Sequence, residues 1–145
     1  MSVIIIEDDG NKLSAIIELL KSHNISESEL SHYSSFHSGM QALISHSYDL
    51  LLLDMSMPAY DISPQESGGR PLPLAGRDIL FMLRRRQITI PTIVVTQYED
   101  FDGMSLSELN NELICEFPAQ YKGYVYYSTT QDNWKFDLSM LLNTL

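Results

Sequence analysis

The sequence is short of cysteine, of positive charge and of long apolar runs, and each shortage narrows what the chain can be. One cysteine, Cys115, leaves no partner for an internal disulfide, which suits a reducing compartment. A chain of 145 residues needs no such staple, because at this length most of the apolar surface can be buried. Nine Lys and Arg face nineteen Asp and Glu, for a formal net charge of −10. Nucleic-acid binding rests on clustered cations over phosphates, so nucleic acid is excluded as the main partner. The one basic cluster, Arg84-Arg85-Arg86, closes a predicted helix, where it complements the helix dipole. No apolar stretch approaches the roughly 20 residues of a membrane span. Met1 leads straight into Ser-Val-Ile-Ile-Ile without a basic leader. The expectation is a cytoplasmic protein with neither membrane nor nucleic acid as partner. His23, His32, His37 and His46 lack zinc-ligand spacing. Gly68-Gly69 lacks the flanking strand and the Gly-Lys-Ser/Thr ending of a phosphate-binding loop.

What is present alternates between two periods. Val3–Ile6 is a short, β-branched run ending at acids, the pattern of a fully buried parallel strand. Leu13, Ile16, Ile17 and Leu20 then recur at helical spacing until Asn24. A weaker strand is expected within Ser31–Phe36, a helix over Ser38–His46, and a second strong strand ending at Leu53. Residues 59–76, broken by prolines and Gly68-Gly69, form a predicted long loop, and such loops in compact folds are usually functional. A helix over Arg77–Arg86 and a strand over Pro91–Thr96 follow. Ser105-Leu106-Ser107-Glu108 matches a capping box opening another helix. On that helix Cys115 falls on an apolar face and is expected in the core. Gly123–Tyr127 is the predicted last strand and Asp132–Leu145 the closing helix. Five strands alternating with five helices predict an α/β fold with a doubly wound, five-stranded parallel sheet.

In such a sheet, ligands sit at the carboxyl ends of the strands near the topological switch point. Strand one delivers Glu7, Asp8 and Asp9, strand three Asp54, and strand four Thr96. Converging carboxylates repel one another, and a hard divalent cation such as Mg²⁺ relieves that repulsion. A carboxylate so placed is suited to attack a phosphoryl donor, with a hydroxyl nearby to bond the product. Asp9 is expected to cap the first helix or face solvent.

These segments, in this order, resemble the receiver domains of response regulators over nearly the whole chain. Val-Ile-Ile-Ile-Glu-Asp-Asp is similar to the opening strand and acidic pair, Leu-Leu-Leu-Asp-Met-Ser-Met-Pro to the acceptor strand, and Val-Val-Thr to the strand bearing a switch hydroxyl. The resemblance implies a flavodoxin-like, CheY-like stand-alone receiver spanning 1–145 as a single domain, with long insertions after strands three and four. It implies Asp54 as phosphoacceptor in a two-component phosphorelay and Thr96 as switch hydroxyl. It also implies an Mg²⁺ site of Glu7, Asp8, Asp54 and the backbone carbonyl of Ser56, and Tyr124 as the aromatic coupled to a partner surface. The implied partners are a sensor histidine kinase or phosphotransfer protein, a downstream protein, and a second copy as a homodimer. No enzymatic turnover is implied beyond the domain's own phosphorylation and dephosphorylation. One position departs from the pattern: the usual strand-five lysine falls on Tyr127, with Ser128 in place of the following proline. Lys122 is close in sequence but precedes the predicted strand. Arg70 or Arg77, in or beside the long loop, are candidate replacements for the missing cation. The departure supports an alternative, a pseudo-receiver acting as an interaction module without phosphorylation. A third reading, a Mg²⁺-dependent phosphatase, fits poorly, since such enzymes generally place their nucleophile on the first strand.

Overall fold

The structure is a computed structural model that describes residues 1–145. Five parallel strands make the central sheet: β1 (Val3–Ile6), β2 (Leu30–Tyr33), β3 (Leu50–Leu53), β4 (Thr92–Thr96) and β5 (Tyr121–Tyr126). Their order across the sheet is β2-β1-β3-β4-β5, every neighbouring pair parallel. The helices are α1 (Gly10–Ser22), α2 (Phe36–Ser45), α3 (Ala75–Arg85), α4 (Leu106–Glu116) and α5 (Asn133–Asn143). This is the doubly wound α/β sheet expected from the alternating periods.

The sheet is covered on both faces, which is why β1, β3 and β4 are buried at every position. Ile4, Ile6, Leu51, Leu53 and Val94 pack toward Met40 and Leu43 of α2, Ile79 and Leu83 of α3, and Leu109 and Leu113 of α4. The alternate residues Val3, Ile5, Leu52, Ile93, Val95 and Val125 pack toward Ile16 and Leu20 of α1 and Trp134 and Leu138 of α5. Each fully buried Ile or Leu contributes roughly 1.5–3 kcal/mol by leaving water. A one-residue slip of a strand would exchange the two sets, so the register is firmly fixed.

Several boundaries differ from expectation. Helix α3 starts at Ala75, two residues before Arg77, because Gly76 lets the first turn lie against the backbone of β3's end. A Cβ there would stand 2.6 Å from the carbonyl oxygen of Asp54. Strand β5 starts at Tyr121 rather than Gly123, so Lys122 lies within it, exposed, donating to the carbonyl of Ala119 at 3.4 Å. Cys115 is exposed rather than buried. Leu109 and Leu113 form the inward stripe of α4, and Cys115 lies two residues off it. Half of the expected capping box is present: the Ser105 hydroxyl accepts from the Glu108 N–H at 3.1 Å.

The segment between β3 and α3 is tied down along its length. Met57–Pro58 pairs antiparallel with Pro71–Leu72, and Tyr60 N–H donates to Gly68 O at 2.9 Å. Asp61 Oδ1 accepts from the hydroxyls of Ser35 at 2.7 Å and Ser38 at 2.9 Å, which fastens the loop to the start of α2. A second short ladder, Asp100–Phe101 with Met104–Ser105, precedes α4 and buries Phe101 in the core.

Candidate functional site

The strand order runs from β1 outward to β2 on one side and to β3 on the other. The crevice at that reversal lies beyond the carboxyl ends of β1 and β3, where the chain places Glu7 and Asp54. Glu7 and Asp54 are each only 3% exposed, and Asp8 stands at the solvent side. Carboxylate oxygens of Glu7, Asp8 and Asp54 all lie within 4.8 Å of one another. Asp9 turns away from them: it is the N-cap of α1, accepting from Asn11 N–H at 2.9 Å and Lys12 N–H at 3.2 Å.

A residue that sequence reasoning missed completes the cluster. Lys12, on the first turns of α1, is fully buried. Its Nζ lies 2.6 Å from Glu7 Oε1 and 3.3 Å from Asp54 Oδ1, and donates to the carbonyl of Val95 at 2.7 Å. The replacements proposed from the loop do not take this place. Arg70 is exposed, and Arg77 reaches Glu112 of α4 with Nη1 at 3.2 Å. Tyr127 lies just past β5 and is buried against Trp134, ring centroids 5.0 Å apart, in the α1/α5 layer.

The two oxygens of Asp54 are unequal. Oδ1 accepts from its neighbour's backbone, Met55 N–H, at 2.8 Å and faces Lys12. No protein donor bonds Oδ2. Glu7 uses both of its oxygens, one toward Lys12 and the other accepting from Asp9 N–H at 3.1 Å. Burial pushes the Glu7 carboxyl up to about 8, helped by the charge of Asp54 and opposed by Lys12. Burial and then Asp54 also raise Asp8. Three carboxylates and one ammonium leave a formal charge of −2 in the crevice.

Thr96 ends β4 with no exposed surface, and its Oγ1 accepts from Tyr98 N–H at 3.2 Å. Ser56 lies two residues past Asp54, half-buried. Tyr124 is 38% exposed on β5, with Tyr126 exposed on the same strand.

No family model matches the chain. A curated relative, the Detocs response regulatory protein DtcB of Enterobacter cloacae, is 37% identical over 141 residues, covering 93% of this chain and 94% of that protein. The chain belongs to the response regulator receiver family. A second relative of this receiver, the uncharacterized protein y4jR of Sinorhizobium fredii, is 30% identical over 142 residues, 93% of this chain and 92% of its own length. Among solved structures, a response regulator receiver domain from Clostridium thermocellum superposes with a TM-score of 0.64 at 20% identity, covering 99% of this chain and 91% of that one. The response regulator TrrA from Thermotoga maritima, solved in complex with Mg²⁺ and beryllofluoride, gives 0.56 at 16% identity, covering 97% and 99%. The receiver fold is therefore shared with proteins that keep little of this sequence.

Proposed function

We propose that this response regulator receiver accepts a phosphoryl group on Asp54 from the phosphohistidine of a sensor kinase or phosphotransfer protein. The observation that carries the reading is the asymmetry of Asp54: Oδ1 is held by Met55 N–H and Lys12, while Oδ2 is left without a protein donor. A carboxylate fixed through one oxygen presents the other as nucleophile. Oδ2 attacks phosphorus, the P–N bond of the donor breaks with its electron pair going to the imidazole, and an aspartyl phosphate remains. The leaving imidazole takes its proton from water.

Glu7, Asp8 and Asp54, with the Ser56 carbonyl, are the groups that would hold Mg²⁺. Three carboxylates with oxygens within 4.8 Å of one another, faced by a single ammonium, fit a hard divalent cation. Bound there, Mg²⁺ would offset the charge that develops on the transferring group. Thr96 would donate its hydroxyl to the product, a role supported by its position at the end of β4 and by its Oγ1 accepting from Tyr98 N–H. Tyr124 and Tyr126, with Phe136 and Met140 on α5, are exposed side chains for a downstream protein or a second copy. No helix is long and apolar enough to cross a membrane, which is consistent with the proposed cytoplasmic site of action.

The test is intact mass spectrometry after incubation with Mg²⁺ and acetyl phosphate. The wild type gains the mass of one phosphoryl group, and Asp54→Asn gains none. A silent wild type would overturn the proposal and leave the interaction-module reading, which the replacement of the strand-five lysine by Tyr127 favours. A gain that persists in Asp54→Asn would move the acceptor elsewhere.

A further inference from the structure

We infer that Lys12, reaching the crevice from helix α1, is the cation that binds the phosphoryl oxygens on Asp54. The inference rests on Asp54 being the phosphoacceptor and adds the residue that receives the new charge.

A census of the nine cationic side chains isolates Lys12. Lys21 pairs with Glu27, Arg77 with Glu112, Arg84 with Glu116 and Lys135 with Asp132. Lys122 is bound to the Ala119 carbonyl, and Arg70, Arg85 and Arg86 are exposed. Only Lys12 lies within 4.0 Å of Asp54. A phosphoryl group adds roughly −1.5 to −2 charge and three acceptor oxygens. With Mg²⁺ offsetting the formal −2 of the crevice, the charge of the added group is still to be met, and Lys12 is the cation that stands beside it.

The contacts of the ammonium are graded in a way that suits this exchange. An ammonium has three protons to give. Two are committed at short range, to Glu7 Oε1 at 2.6 Å and to the Val95 carbonyl at 2.7 Å. The contact to Asp54 Oδ1, at 3.3 Å, is the longest of the three. It is the one that gives way when an oxygen attached through Oδ2 offers a better acceptor. Because Val95 immediately precedes Thr96, the same ammonium ties Asp54 to the end of β4. Movement of Nζ toward a phosphoryl group therefore loads the strand end that carries the Thr96 hydroxyl.

The experiment uses the full chain as wild type, Lys12→Met and Lys12→Arg, titrated with beryllofluoride in the presence of Mg²⁺. Affinity and ¹⁹F NMR spectra are recorded, with folding checked by circular dichroism. The wild type is expected to form an adduct with three distinct fluorine resonances. Lys12→Arg keeps the adduct and displaces one resonance, the fluorine facing the cation. Lys12→Met weakens the adduct roughly ten- to a hundredfold, the loss of a charge-assisted hydrogen bond. If Lys12→Met does not fold, the single displaced fluorine in Lys12→Arg decides. An adduct in Lys12→Met as tight as the wild type's, with all three resonances unmoved, would overturn the inference while leaving Asp54 as acceptor. No adduct in the wild type overturns the functional proposal itself. An adduct gained only on removing Lys12 would make it a plug on the acceptor and overturn both.

Discussion

A lysine with no exposed surface is costly to bury unless its charge is met, and Lys12 is met by two carboxylates and a carbonyl. Removing one partner of such a cluster leaves the others uncompensated. Lys12→Met should therefore lower unfolding free energy by about 3 kcal/mol, read from urea denaturation in metal-free buffer. Adding Glu7→Gln in the same chain should recover part of that loss, a coupling of at least about 1 kcal/mol. Strictly additive effects of the two changes would show that the 2.6 Å contact carries no net interaction. The residues differ in how openly the sequence displays them. Glu7, Asp8 and Asp54 could be picked out because each follows a short apolar strand, and strand ends converge in a doubly wound sheet. Lys12 escaped notice because a charged residue in a first helical turn is ordinarily solvated. Its signal was positional: Lys12, Ile16 and Leu20 recur at intervals of four, and all three are the buried residues of α1.

Elements with a strong period were legible, and elements set by a single contact were not. β1, β3 and β4 followed from their apolar runs, since a strand covered on both faces has no polar side to disguise it. The early start of α3 depends on Gly76 touching the Asp54 carbonyl, a tertiary contact without local periodicity. The segment between β3 and α3 looked structureless because its order comes from distant partners. Asp61, bound by the hydroxyls of Ser35 and Ser38, ties the segment to α2, and those bonds hold its carboxyl below the usual range. Gly68 provides the turn, with φ of +87° and the Tyr60 carbonyl 2.9 Å from where a Cβ would stand. A carboxyl whose pKa is lower in the folded state stabilises that state above its ordinary value, about 3.9 for Asp. The support is lost only as the pH falls through the lower, folded value. Hydrogen exchange of the Tyr60 amide, corrected for intrinsic rates, should thus be constant from pH 7 to about 5 and quicken in more acidic buffer. In Asp61→Ala it should be fast throughout. Protection of Tyr60 unchanged in Asp61→Ala would mean that the Met57–Leu72 ladder and the bond from His37 N–H to the Ala59 carbonyl hold the loop without Asp61.

For the molecule as a whole, the balance to weigh is between its general negative charge and the concentrated charge of the crevice. A net charge of −10 attracts any cation weakly over the surface, and that attraction is screened within about 8 Å at physiological ionic strength. The crevice differs, because its carboxylates are close-set, Glu7 and Asp54 are buried, and only one ammonium faces them. A ligand that binds the folded state alone stabilises it by about 2.7 kcal/mol at a hundred times its dissociation constant. For a chain of this size that corresponds to a rise in Tm of roughly 5–10 °C. Thermal melting with saturating Mg²⁺, against NaCl of equal ionic strength, should show that rise for the wild type only with Mg²⁺. Chelation should reverse it. Asp8→Ala is the informative variant, because Asp8 is exposed and absent from the salt bridges, so its loss spares the Lys12 network. In NaCl it should melt at or above the wild type, because it removes a carboxylate that burial and Asp54 disfavour, and it should respond little to Mg²⁺. A response to Mg²⁺ undiminished in Asp8→Ala, or equalled by NaCl, would assign the effect to the surface at large and remove the metal from the crevice.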